Sequence, residues 1–147
     1  MHPLLVPSSW LVDGRYFPRG RGAQRVIGLT EVHASEQFPE TLRVDGEVRD
    51  ADDPTSRPVS SGFHLDVSGP ETVRFRMDSL PLGTVLVGDG NHDDVTLILR
   101  YASPDRRIFG SETFIALSPS ELRTSGVMFA DGVAVTSWLA RLERVSH

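Results

Sequence analysis

The chain has 147 residues and a formal net charge of −5. This length suits one domain with one core, spanning residues 1–147, and the negative charge argues against a nucleic-acid partner, because phosphate binding needs a basic surface. No stretch approaches the roughly 18 apolar residues of a membrane span, and the start, MHPLLVPSSW, lacks the basic and apolar parts of a signal peptide. We therefore expect a cytoplasmic protein without a membrane partner.

Two residue types are missing, and their absence excludes several kinds of chemistry. The chain has no cysteine, and all 15 basic residues are arginine. Thiol nucleophiles, thiolate metal sites, Schiff bases and pyridoxal phosphate are thereby excluded. The segment Asp89–Asp93 imitates the start of a calcium loop, but Asp94 and Arg100 replace the glycine and glutamate that such a loop requires. We predict neither a metal nor a cofactor.

Alternation of polar and apolar residues between turn signals predicts ten short strands. These are Trp10–Phe17, Arg25–His33, Thr41–Arg49, Gly62–Val67, Thr72–Asp78, Gly83–Gly88, Val95–Tyr101, Arg107–Leu117, Leu122–Ala130 and Val133–Arg144. Asp50–Pro58 is the one long loop, Asp89–His92 has the composition of a polar turn, and Asp131-Gly132 predicts a two-residue hairpin. No stretch sustains a helical period.

Strands joined by such short connections must pair antiparallel with their neighbours. The two architectures that satisfy this are a sandwich and a closed up-and-down barrel. Sandwiches need longer crossovers, which only Asp50–Pro58 could supply, and closure also removes exposed sheet edges. The sequence therefore predicts an all-β chain that forms a single antiparallel barrel of about ten strands, with a β-sandwich as the alternative.

The two ends of the chain resemble those of the calycins, the superfamily of lipocalins, fatty-acid-binding proteins and nitrobindin-like barrels. The residues that carry the resemblance are Trp10, Gly14, Gly20 and Gly22 near the amino end and Trp138, Leu142 and Arg144 in the last strand. The resemblance implies a barrel with an apolar cavity, plugged at one end by Trp10. In lipocalins this tryptophan packs against an arginine of the closing strand, a part that Arg141 or Arg144 would take here by cation–π contact.

The resemblance does not extend to haem. Nitrobindin-like barrels bind haem through a histidine on the closing strands, and this chain has no histidine between His92 and His147. The ligand that the resemblance implies is instead a small hydrophobic molecule. The residues that we expect to line its cavity are Tyr16, Leu29, Phe63, Phe75, Met77, Leu97, Leu99, Met128 and Trp138.

Polar residues on an inward strand face are the candidates for catalysis, because each needs a partner or a ligand. Glu31 and His33 share one face of the second predicted strand, Arg25–His33. If that face points inward, the two lie side by side in the cavity as an acid/base pair. If instead Val26 and Val32 face inward, both lie in solvent, which the usual exposure of charged residues favours. Tyr101 is the third candidate, since it is in phase with the inward leucines of its strand.

Glu112 is the remaining carboxylate that shares a strand face with apolar residues. Its own face carries Ile108 and Phe114, whereas the opposite face carries Phe109, Ile115 and Leu117 and is more apolar. The comparison predicts that Glu112 faces solvent.

Three functions remain open from the sequence. The first is a lipocalin-like carrier or sensor of a small hydrophobic molecule. The second is a cofactor-independent isomerase, cyclase or hydratase acting on a polyketide- or terpenoid-like substrate through Glu31, His33 and Tyr101. The third is an interaction barrel that forms a homodimer through apolar outer positions around Ile98, which a cavity below roughly 300 Å³, the lower end for ligand sites, would favour.

Overall fold

The computed structural model describes residues 1–38, 40–79 and 82–146 and contains ten strands and one short 3-10 helix, Pro3–Leu5. The strands are β1 (Ser8–Pro18), β2 (Gln24–Ala34), β3 (Thr41–Asp50), β4 (Val59–Asp66), β5 (Thr72–Ser79), β6 (Thr84–His92), β7 (Thr96–Ala102), β8 (Ile108–Ser118), β9 (Glu121–Ala130) and β10 (Val133–Arg144). Within the described ranges, no helix is long and apolar enough to cross a membrane.

The ten strands form a closed antiparallel barrel. Each strand pairs with the next along the chain, and β1 also pairs with β10, where Trp10 lies opposite Arg144 and Tyr16 opposite Trp138. The prediction of an all-β up-and-down barrel is therefore confirmed, and the sandwich is excluded. The Asp131-Gly132 hairpin is also confirmed: these residues have φ values of 52° and 80°, as the tight turn that matches the twist of two strands requires.

The prediction for β6 is wrong at its end. The residues that resemble a polar turn continue the strand to His92, pairing Asp89 with Arg100 and Asn91 with Ile98. The alternation of the strand is hidden because two of its inward positions, Gly88 and Gly90, are glycines that leave room for the neighbouring strand. On the outside, Arg100 binds both Asp89 and Asn91.

One end of the barrel is closed by the amino-terminal segment. Trp10 is completely buried and packs in one core with Leu4 and Leu5 of the 3-10 helix. Its indole Nε1 donates to Ser8 Oγ over 2.8 Å, and the Arg144 guanidinium lies 5.9 Å from the ring centroid, within cation–π range. Of the two arginines expected to cover Trp10, Arg144 is the one that does.

Candidate functional site

The barrel encloses a cavity of about 290 Å³ with largely apolar walls. It reaches the surface at the end opposite Trp10, where the lining residues Val59 and Leu82 are 65% and 40% exposed. The volume is slightly below roughly 300 Å³, the lower end for small-molecule sites, so size alone narrowly favours the interaction role. The argument for a binding role therefore rests on the chemistry of the walls.

Most of the predicted ligand-binding residues do line this cavity. They are Tyr16, Phe63, Phe75, Met77, Met128 and Trp138, together with the candidate catalytic residue Tyr101. Leu97 and Leu99 are buried in the core without lining the cavity. Leu29 is on the outer face of β2, because Val26 and Val32 are the residues of that strand that point inward.

The structure places Glu31 and His33 outside the barrel. Both are exposed on the outer face of β2, and His33 Nε2 lies 3.3 Å from Asp45 Oδ2 on β3. The interior face of β2 carries valines, glycine and threonine, so the second orientation considered for this strand is the one observed. The two residues cannot act on a molecule inside the cavity.

Glu112 is the carboxylate that the structure places in the cavity, so its predicted exposure is wrong. It projects from the inner face of β8 between Gly110 and Phe114. The comparison of faces fails because this part of the barrel also carries apolar residues outside, where Phe109 stacks on Phe129 with ring centroids 5.0 Å apart. Counting apolar residues cannot separate two faces that are both apolar.

Three neighbouring strands bring the partners of Glu112 together. The cross-strand register places Glu112 of β8 opposite Gly126 of β9, and Gly126 opposite Trp138 of β10. A Cβ at Gly126 would overlap the indole of Trp138, so the glycine lets this ring lie across β9 and reach Glu112. Trp138 Nε1 donates to Glu112 Oε2 over 2.9 Å, and Thr124 Oγ1 donates to the same oxygen over 3.0 Å.

Burial controls the charge of this carboxyl. Removal from water raises the pKa of Glu112 above its usual range, and the hydrogen bonds from Trp138 and Thr124 oppose the shift without cancelling it. Burial therefore favours the neutral acid more than it would be favoured in a solvent-exposed glutamate. Of the described lining residues, Glu112 alone is an acid, and none is arginine or histidine.

Two tyrosines add phenol groups to the same cavity. Burial raises the pKa of Tyr101 and of Tyr16, and the nearby Glu112 raises each further. Both phenols thus stay protonated. Tyr101 stacks on Phe75 at 5.2 Å between ring centroids, and Tyr16 lies 6.3 Å from Trp138. A Cβ at Gly110 would come within 2.8 Å of the Tyr101 hydroxyl oxygen, so this glycine makes space for the phenol.

The described lining of the cavity lacks the histidine through which nitrobindin-like barrels bind haem. Thr136 and Trp138 are the residues that β10 turns toward the interior in this region, and none of the described lining residues is a histidine. Throughout residues 1–38, 40–79 and 82–146, no three His, Cys, Asp or Glu side chains converge as a metal site. What the site offers is hydrogen bonding and proton transfer.

Solved structures with the same fold include proteins of different descriptions. An S-type phycobiliprotein lyase, CPES from Guillardia theta, is 13% identical, with a TM-score of 0.70 over 99% of this chain and 96% of its own. Rv2717c from M. tuberculosis is 18% identical, with a TM-score of 0.73 over 98% and 94%. A DUF3598-family protein of unknown function from Nostoc punctiforme is 13% identical, with a TM-score of 0.58 over 95% of this chain and 47% of its own.

These similarities show a shared fold alone, given the low sequence identities. No protein-family model matches the sequence, and no curated protein matches it. The closed ten-stranded barrel and its neighbours fit a calycin-like fold.

Proposed function

We propose that this protein binds a small, largely apolar molecule inside the barrel, as a carrier or sensor. The observation that carries the proposal is Glu112, a carboxyl in an apolar cavity whose Oε2 accepts two hydrogen bonds while Oε1 has none from the described residues. Glu112 is half-buried, and its Oε1 is open to the cavity. A molecule that displaces water from Oε1 must supply a polar partner there or lose a hydrogen bond. A bound molecule with one polar atom would satisfy Oε1 and fill the apolar space around it.

The size of the cavity limits the molecule. A volume of 290 Å³ accommodates about ten groups the size of a water molecule, each of which occupies about 30 Å³ in the liquid. A single aromatic or alicyclic ring with a short substituent fits this space. Aromatic residues of the lining, among them Phe63, Phe75 and Trp138, supply flat apolar surfaces suited to such a ring.

A cofactor-independent enzyme is the second candidate, and the position of Glu112 inside the cavity is the observation that favours it. Burial raises the pKa of this carboxyl, which makes it a better proton donor than an exposed glutamate at the same pH, and Tyr101 lines the same space. In that function the acid of an isomerase, cyclase or hydratase would be Glu112 rather than Glu31 or His33. Glu112→Gln separates the two candidates, since it would abolish turnover but leave a binding site.

The proposal is tested by closing the cavity from its mouth. Ser61 and Ser60 are adjacent on β4 and point to opposite faces. Ser61 is in phase with the buried Phe63 and lines the cavity, whereas Ser60 lines only an outer groove. Ser61→Phe places a ring in the cavity, and Ser60→Phe is the matched control with the same ring outside. Cumene and acetophenone, each of nine non-hydrogen atoms, serve as probes.

We expect the probes to raise the melting temperature of the wild type and of Ser60→Phe, but not that of Ser61→Phe. A ligand at a hundred times its Kd stabilises the folded state by about 2.7 kcal/mol, which differential scanning calorimetry resolves readily. The proposal is wrong if neither probe shifts the wild type, or if the two variants respond equally.

A further inference from the structure

We propose that the molecule bound in the cavity is uncharged and carries a carbonyl oxygen that accepts a hydrogen bond from the protonated carboxyl of Glu112. This inference rests on the proposed function and adds the chemical class of the ligand. It excludes fatty acids and other anions as well as ammonium ions, and it makes Glu112 a hydrogen-bond donor to the ligand.

The position of the proton follows from the two hydrogen bonds that Glu112 already accepts. Trp138 Nε1 and Thr124 Oγ1 both point to Oε2, at 2.9 and 3.0 Å. A neutral carboxyl has one acceptor oxygen and one hydroxyl, and two donors on Oε2 make it the acceptor. The hydroxyl is therefore on Oε1, where it can donate a hydrogen bond to a ligand.

The walls of the cavity exclude an anion. A carboxylate or phosphate group would lose its hydration, and it would find no arginine or histidine among the described lining residues; the sequence has no lysine. It would also lie close to Glu112. Burying an unpaired charge is far more costly than burying a neutral polar group.

A cation is disfavoured for a different reason. An ammonium group would find aromatic rings and a carboxyl, but it would need Glu112 to ionise inside a site whose burial favours the neutral acid. A buried ion pair recovers its desolvation cost only with very good geometry and further hydrogen bonds. A carbonyl oxygen does not require Glu112 to ionise, because it accepts a hydrogen bond from the neutral carboxyl.

A pure hydrocarbon would fill the same space but leave the Glu112 hydroxyl without an acceptor. A hydrogen bond between neutral groups makes a net favourable contribution to binding, and an unpaired donor adds to the penalty for the hydrocarbon. A ketone should therefore bind about tenfold more tightly than a hydrocarbon of the same shape.

The test uses four probes of nearly equal shape: acetophenone, cumene, 1-phenylethylamine and benzoate. Affinities are measured by isothermal titration calorimetry for the wild type, Glu112→Gln, Glu112→Leu and the control Glu47→Gln, which changes an exposed glutamate on the outer face of β3. In Glu112→Gln, the amide oxygen accepts from Trp138 and Thr124, and the amide NH₂ takes the place of the hydroxyl as donor.

We expect the wild type to prefer acetophenone over cumene about tenfold and to bind benzoate not at all. Raising the pH should erode this preference in the wild type as Glu112 ionises, because a carboxylate cannot donate. The other titratable groups that face Glu112 are Tyr16 of β1 and Tyr101 of β7, both of which stay protonated. Glu112→Gln should prefer the ketone at every pH, and Glu112→Leu should bind ketone and hydrocarbon equally.

The possible failures are distinguishable. If 1-phenylethylamine binds the wild type best and loses affinity in Glu112→Gln, the ligand is a cation and the inference is overturned, while binding inside the barrel stands. Equal affinities of acetophenone and cumene for the wild type also overturn the inference alone. If no probe binds the wild type, the inference and the proposed function both fail. Should Glu112→Leu not fold, the probe series on the wild type and Glu112→Gln still decides.

Discussion

Glu112 is the residue that gives the cavity its chemistry, and its environment is built by its neighbours. Burial raises the pKa of its carboxyl, while the indole of Trp138 and the hydroxyl of Thr124 orient it. The result is one carboxyl, held in a fixed direction and shifted toward its neutral form, in a largely apolar space. Such a group gives a small-molecule site its orientation and specificity.

Glu112→Gln should change how stability depends on pH. The unfolded chain releases the proton of Glu112 near pH 4.5, whereas the folded protein keeps it to higher pH. Between these two pKa values the folded state holds more protons, so the free energy of unfolding falls as the pH rises, by about 1.4 kcal/mol for each unit of raised pKa. The variant lacks this loss.

Urea denaturation at pH 4, 6 and 8 provides the measurement. The stability of Glu112→Gln relative to the wild type should increase from pH 4 to pH 8, because only the wild type loses stability by ionising this group. A difference that stays the same across the three pH values would mean that Glu112 titrates normally in the folded protein.

The site residues were predictable to the extent that strand alternation identifies the interior. Phe75 and Met77 alternate with charged residues, Phe63 shares a strand face with Leu65, and the inward position of all three is confirmed. Glu112 was not predictable in this way, because apolar residues occur on both faces of β8 and the outer ones stack with β9. For Glu31 the alternation of β2 left two orientations open, and only the folded barrel distinguishes them.

At the scale of the strands, the turn residues predicted most strand boundaries. The main errors arose where the sequence does not show the alternation of inward and outward residues. The ten predicted strands correspond to the ten observed ones, but β6 extends to His92 because glycines at its inward positions obscure the alternation. The pairing of β10 with β9 shifts register between Ala134 and Thr136. Because of this shift, counting residues from the Asp131-Gly132 hairpin does not predict which residues face Glu112. Irregularities of this kind depend on packing between strands.

Gly126→Ala should disturb the site through strand packing. A Cβ at Gly126 would overlap the indole of Trp138, so the ring must move away from β9 and its hydrogen bond to Glu112 must lengthen or break. Overpacking of this kind costs about 1–3 kcal/mol. We expect a lower free energy of unfolding together with altered fluorescence from Trp138.

The matched control is Gly22→Ala, where an added Cβ meets nothing within 4 Å. This variant should leave the stability within about 0.5 kcal/mol of the wild type, as exposed substitutions commonly do. If Gly126→Ala were as stable as Gly22→Ala, Trp138 would not depend on the glycine for its position, and the account of the site across β8, β9 and β10 would be wrong.

At the scale of the whole molecule, the sequence predicts closure of the barrel more directly than it predicts which side chains face the interior. Ten alternating strands with short connections leave few topologies, and pairing of β1 with β10 removes the exposed edges. Closing the barrel also decides which groups are inside, and that depends on the facing of every strand at once. The plug at the opposite end, with Trp10 beneath Arg144, was predictable because the resemblance to calycins includes it.

This plug contains a second buried titratable group, and its effect on stability has the opposite sign to that of Glu112. His2 is completely buried, and its Nδ1 accepts the backbone N–H of Leu4 over 3.2 Å. Burial lowers the pKa of His2, and the backbone of Phe114 and Val95 offsets this only in part. Below about pH 6.5 the unfolded chain takes up a proton that the folded barrel does not.

His2→Asn should therefore make the barrel less sensitive to acid. The asparagine oxygen can still accept from Leu4 at the start of the 3-10 helix, but no group at this position titrates near pH 6. The wild type should lose stability as the pH falls from 7 to 5, by up to about 1.4 kcal/mol per unit of lowered pKa, and the variant should lose less over the same interval.

His33→Asn is the control, because His33 is exposed and its ion pair with Asp45 is of a kind worth under about 1 kcal/mol. Thermal unfolding at pH 5, 6 and 7 measures all three proteins, and an equal slope for His2→Asn and the wild type would show that His2 does not contribute to the acid sensitivity of the plug.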